Sequence, residues 1–152
     1  YPIRTFTGDV GGRIELGVGQ GALVILAHLP DAEQEEVLRY NLPRIRHYSV
    51  YDEVYLRSEV RKARERGYSA KTDGLLEGMA GIAVPVFDRN GNVVAALSVG
   101  TLANRLSADR LPIVYDMLLR EANRLTTQIN PFDPTLRRPM QSMAVSDTYR
   151  AI

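Results

Sequence analysis

Residues 67–102 read GYSAKTDGLLEGMAGIAVPVFDRNGNVVAALSVGTL. Two apolar runs, Ile82–Phe87 and Val93–Val99, flank the tetrapeptide Asp88-Arg89-Asn90-Gly91. Asn-Gly between apolar runs signals a hairpin, because both residues tolerate positive φ. Buried antiparallel strands are therefore expected. Small residues line them: Gly78, Ala80, Gly81, Ala83, Ala95, Ala96, Ser98 and Gly100. Such strands fill no core alone; they pack close against a helix or leave room for a ligand. Pattern alone leaves both readings open.

Upstream of the hairpin, a helix is expected from about Tyr51 to Arg66, with Val54, Leu56, Val60 and Ala63 inward. Gly67 suits the left-handed residue that ends it. Asp31 with Gln34 has the form of a capping box opening an earlier helix, whose apolar side is Val37, Leu38 and Leu42. Before that, Gly17-Val18-Gly19-Gln20-Gly21 leads into a short apolar helix, Ala22–Ala27, which Pro30 stops. Residues 1–16 contain Gly8, Gly11 and Gly12 and suit one or two short strands around a turn.

Downstream, Ser107 is expected to cap the last helix, with Asp109 in its first turn. Leu111, Tyr115, Leu118, Ala122, Leu125 and Ile129 recur at helical spacing and should face the sheet. Asn130-Pro131 ends it. Phe132–Ile152 has little periodicity and reads as a tail. The chain thus divides into a domain over 1–130 and a tail over 131–152. Antiparallel strands flanked by helices give the class α/β, either α+β or a three-layer α/β/α sheet.

The 152 residues suffice for one sizeable core, and 45% apolar with 24% charged residues is ordinary globular composition. Nineteen basic against 18 acidic residues leave a net charge of +1, no footprint for binding a polyanion. Cysteine is absent, which removes disulfides, thiolate nucleophiles and cysteine metal sites. No apolar run nears the roughly 18 residues of a transmembrane helix, so no membrane partner is expected. An opening Tyr1 rather than Met points to a piece of a longer protein.

Gly17 to Ala22 reads G-x-G-x-x-A at the start of a helix, where bare N–H groups attract anions. A dinucleotide site would also need an acidic residue ending a second strand about 20 residues on. Glu33, Glu35 and Glu36 lie in a helical pattern instead, so a small-anion loop or a structural turn remains. Ala96-Leu97-Ser98-Val99-Gly100 only approaches the nucleophile elbow, since no helix is expected to start before Ser107 and both histidines, His28 and His47, precede Ser98. Those histidines lack metal-pair spacing. Arg57, Arg61, Lys62, Arg64 and Arg66 alternate with acidic residues, as on a solvated helix face, and Glu53–Arg57 is a favourable i, i+4 pair. Asp73-Gly74 after Lys71 places a carboxylate where it can hold a ligand hydroxyl or a backbone turn.

In order along the chain, Leu16-Gly17-Val18-Gly19, Leu26-Ala27, Leu29-Pro30-Asp31, Arg64-Glu65-Arg66-Gly67-Tyr68, Glu77-Gly78, Ile82–Val86 and Val94–Val99 resemble the effector-binding domain of the IclR family of bacterial transcription regulators. The resemblance covers roughly Ile3 to Ile129. It implies a GAF-like, mostly antiparallel sheet flanked by helices, binding a small organic or aromatic acid without catalysis or cofactor. It also implies a cytoplasmic homodimer or homotetramer that meets operator DNA only through a separate N-terminal module. A first helix and two strands usual in the family do not precede Tyr1, so the domain is expected to be truncated there. By position, the resemblance carries over an effector site of Leu16, Gly17, Val18, Gly19, Gln20, Lys71, Asp73, Met79, Gly81, Ser98 and Gly100. Gly81 replaces a cysteine of some members, Lys71 an acidic residue and Gly100 a serine, implying a roomier, less acidic pocket. Glu15 stands where a proline is usual and loosens the turn before the loop. A GAF-type small-molecule enzyme and a pure oligomerisation module are the alternatives; reductases on that scaffold work through cysteine.

Overall fold

The computed structural model describes residues 14–45, 52–72, 78–133 and 136. Three helices come first: α1 (Gln20–His28), α2 (Asp31–Ile45) and α3 (Glu53–Arg66). Strands β1 (Ser69–Lys71), β2 (Met79–Phe87) and β3 (Val93–Leu102) follow, then a 3-10 turn (Ala103–Arg105) and α4 (Leu111–Gln128). The described strands form one antiparallel sheet in the order β1-β2-β3.

The hairpin forms where the apolar runs place it, but through a different turn. Only Gly91 takes a positive φ, 81°, and Asn90 does not. The Asp88 carbonyl accepts from Gly91 N–H at 3.1 Å, and Asp88 N–H reaches the Asn92 carbonyl at 2.8 Å. This is a type I turn followed by a left-handed glycine. The buried Asp88 side chain completes it, taking N–H bonds from Asn90 and Asn92, both at 2.9 Å. Val86 pairs with Ala95 but Phe87 with Val93, so Val94 is the extra residue of a bulge.

Alternation sorts the side chains to two faces. Ala80, Ile82, Val84 and Val86 share a buried cluster with Leu118 and Ala122 of α4. Gly81, Ala83, Pro85, Ala96, Ser98 and Gly100 face the other way by the same register, toward α1. A second cluster joins α1, α2 and α3 through Leu26, Val37, Leu38, Ile45, Leu56 and Val60. The two ends of α1 are treated differently. At its C-terminus, the Arg64 guanidinium donates to the Ala27 and Leu29 carbonyls, and Gln34 Nε2 donates to Leu26 and Ala27. Carbonyls a helix leaves open are thereby satisfied, with a cation at the negative end of the dipole.

Several local expectations change. Gln34 closes no capping box with Asp31; its amide serves α1, and the Pro30 carbonyl accepts the first bond of α2. Helix α3 is capped by Asp52, whose carboxylate accepts from Tyr55 N–H at 2.6 Å, and ends at Gly67 with φ 78°. Val54 is 79% exposed rather than inward, because it lies in the first turn, away from the face of Leu56, Val60 and Ala63. Ser107 contributes its carbonyl, not a side-chain cap, to the turn before α4, whose cap position is Arg110. Leu125 lies at the margin of the buried stripe, 38% exposed. The strands expected before Ile14, His47, Asp73 and most of the tail lie outside the described residues. Among the described residues, no helix is long and apolar enough to cross a membrane.

Candidate functional site

The loop entering α1 is built on backbone that glycine alone adopts readily. Gly17 has φ 112° and Gly19 φ 78°. Val18 N–H turns back to the Glu15 carbonyl at 3.1 Å, and the Val18 side chain is buried in the core. Leu16 packs against the same core, so both residues offer the loop backbone rather than side chains. Two further groups hold it: Asn41 Nδ2 donates to the Leu16 carbonyl at 3.1 Å, and Ser69 Oγ donates to the Gln20 carbonyl at 2.7 Å. Gly19 caps α1 without a side-chain bond, and no acidic residue sits in the first turn. The positive end of the α1 dipole is therefore not neutralised by its own helix.

Beneath that end lies the small-residue face of the hairpin. A Cβ placed on Gly21 would stand 3.7 Å from Ser98 Oγ and 3.9 Å from Ala96 Cβ. Small residues on both sides thus let α1 approach the sheet closely. One placed on Gly81 would stand 3.2 Å from Gln20 Cγ, whereas one on Gly100 meets no described atom within 4 Å. Close packing and open space both occur, at different ends: the strands are covered under α1 and open beyond its N-terminus. Ser98 and Gly100 are exposed.

Lys71 pairs with Gly81 across the strands and so shares this face. Its Nζ donates to Tyr55 Oη at 3.1 Å and lies 5.3 Å from that ring's centroid. Met79 pairs with Leu102 at the outer rim. The structure thus gathers Gly17, Gly19, Gln20, Gly81, Ser98 and Gly100 around the start of α1, with Lys71 and Met79 on the same sheet face. Sequence reasoning missed Asn41, Ser69 and Tyr55. For Asn41 a signal existed: a polar residue in the stripe Val37, Asn41, Ile45. Tyr55 carried none.

His28 sits at the far end of α1, its Nδ1–H on the Val24 carbonyl at 2.8 Å and its ring edge-on to Phe87. Burial, aided by nearby Arg64, holds the imidazole below its ordinary value, against the opposing Val24 hydrogen bond. On α3, Arg57 pairs with Glu35 at 2.6 Å and Glu53 at 2.9 Å, Lys62 with Glu59, and Arg64 with Asp31. These charges are spent on neighbours, as on a solvated helix face.

Residues 4–127 match the family model described as bacterial transcriptional regulator IclR C-terminal. The Pca regulon regulatory protein of Pseudomonas putida is 29% identical over 117 residues, covering 76% of this chain but only 40% of that protein. The chain thus spans about two-fifths of that curated relative. The crystal structure of the C-terminal domain of the E. coli transcriptional regulator KdgR is similar at 31% identity and a TM-score of 0.64, covering 74% of this chain and 70% of that one. A double mutant of the PobR inducer-binding domain from Acinetobacter, in complex with 3-hydroxybenzoic acid, is similar at 26% identity and a TM-score of 0.67, covering 85% and 75%.

Proposed function

The chain belongs to the bacterial transcriptional regulator IclR C-terminal family, and from that membership we propose that it senses a small organic or aromatic acid at the N-terminus of α1. The carrying observation is the meeting of an uncapped helix start with a glycine floor that is open at Gly100 and covered at Gly81 by the Gln20 side chain. A carboxylate there accepts N–H bonds from the Gly17–Gln20 loop and gains from the helix dipole. The Lys71 ammonium on the same sheet face adds attraction. The acid's body lies over Gly81, Ser98 and Gly100 toward Met79; Asp73, next but one after Lys71 in the chain, belongs to the proposed effector set by sequence alone. The bound aromatic acid in the similar PobR domain supports this ligand class.

On this reading the domain, residues 1–130, does no chemistry and needs no cofactor, and 131–152 is a tail. It works in the cytoplasm within a homodimer or homotetramer and reaches operator DNA through a separate domain. The effector acts by population shift, binding one arrangement of sensor domains more tightly than another. A thermal-shift series with 3-hydroxybenzoate and pyruvate tests the site. At about 100 times its Kd, an acid adds roughly 2.7 kcal/mol of stability. The gain should shrink in Ser98→Ala and Lys71→Ala, and vanish in Gly81→Leu, whose side chain must displace Gln20. Equal gains in wild type and Gly81→Leu would put the ligand elsewhere.

A further inference from the structure

Asn41 is 6% exposed and Ser69 4% exposed. A buried polar side chain is costly unless it is hydrogen-bonded. For packing alone, leucine would serve beside Val37, Leu38 and Ile45, and alanine would serve on β1. Both residues instead spend their donors on main-chain carbonyls of one short segment. Asn41 takes Leu16, 25 residues upstream, and Ser69 takes Gln20, 49 residues upstream. Between those two carbonyls lie Gly17 and Gly19, the residues with most backbone freedom to lose. Anchoring both ends fixes the peptide planes between them, and so the direction of the N–H groups that open α1.

We propose that Asn41 and Ser69 are positioning residues that hold the loop in its binding geometry, so that an anion meets N–H donors already aimed. Preorganisation of this kind strengthens binding without any contact to the ligand. The affinity part rests on the reading of this loop as the effector site; the positioning part does not.

The test uses this chain and four variants. Asn41→Leu keeps the branched outline of the side chain and removes the donor. Ser69→Thr keeps a hydroxyl, and Ser69→Val has the shape of threonine without one. Val37→Ala weakens the core around α2 and leaves both donors in place. Backbone 15N relaxation at Gly17–Gln20 should show order parameters of about 0.85 in wild type, Ser69→Thr and Val37→Ala. They should fall below about 0.6 in Asn41→Leu and Ser69→Val. Should Asn41→Leu not fold, the threonine–valine pair decides. A loop that stays rigid without the donors, or loosens equally in Val37→Ala, overturns the proposal. With 3-hydroxybenzoate as probe, Kd should rise about tenfold, or 1.4 kcal/mol, in the two donor-lacking variants and return to wild type in Ser69→Thr. An unchanged Kd in a loosened loop overturns the affinity part. A loosened loop in a protein that binds no acid leaves positioning standing and counts against the effector reading alone.

Discussion

Replacing Gly17 with alanine strikes the loop in two ways that a second glycine separates. At φ 112° an L residue is strained, at a cost of about 1–3 kcal/mol. The new Cβ would also stand 3.1 Å from Leu56 Cδ1 and 3.4 Å from Leu26 Cδ2. Both leucines are 0% exposed, so neither has room to yield, and overpacking adds about 1–3 kcal/mol. A stiffer unfolded chain returns about 0.4–1 kcal/mol. The expected net loss is roughly 1–6 kcal/mol. Gly19, at φ 78°, has nothing described within 4 Å of its Cβ position, so Gly19→Ala should lose only the backbone part, about 1–2 kcal/mol before the same offset. Urea denaturation of the two variants gives the comparison directly, provided m is unchanged. Thermal midpoints should follow at about 2–4 °C per kcal/mol. Equal losses in the two variants would refute the packing argument, and losses under about 0.5 kcal/mol in both would refute the backbone argument as well.

His28, held below its ordinary value of 6.5 by burial, binds a proton more weakly folded than unfolded. Stability should therefore be full above that value and fall as pH drops through the window beneath it; His28→Gln should flatten this slope in denaturation curves taken between neutral and mildly acid pH. Arg64→Ala strips the guanidinium from the Ala27 and Leu29 carbonyls and should cost about 1–3 kcal/mol by urea midpoint, whereas Asp31→Ala, removing an exposed partner, should cost under about 0.5 kcal/mol. Asp88→Ala leaves the Asn90 and Asn92 N–H groups without their shared acceptor and should lose about 1–3 kcal/mol, with faster amide exchange at the turn; an unaltered midpoint would show that the glycine turn holds unaided.

What the sequence carries by itself is the information local in the chain. The hairpin, Gly67 as the end of α3 and the inward stripe of α4 depend on residues within one or two turns of each other. Errors arose where a side chain chose a distant partner over a near one. Gln34 sits at capping-box spacing from Asp31, yet its amide reaches carbonyls seven and eight residues back, where α1 ends. Ser107 is a good cap by type, but α4 begins at Leu111 after a tight turn. Asn-Gly suggested two left-handed residues, and the buried Asp88 carboxylate favours a turn with one. At the site, small residues marked the floor, but spacing could not divide it into the part packed under α1 and the part left open. Nor could it pair Asn41 with Leu16 or Ser69 with Gln20, since tertiary closure alone brings them together.

The same long reach of those two bonds sets an order of assembly. The β2–β3 turn closes through partners two and four residues apart, so the hairpin can form on a microsecond scale from its own sequence. The loop before α1 takes its shape only after chain segments 25 and 49 residues away have arrived. Loop-closure entropy must be met before such contacts return anything. This segment is thus expected to order last during folding and to open first under stress, well below global unfolding. Mild heat should blunt ligand response while the sheet and its helices still appear intact.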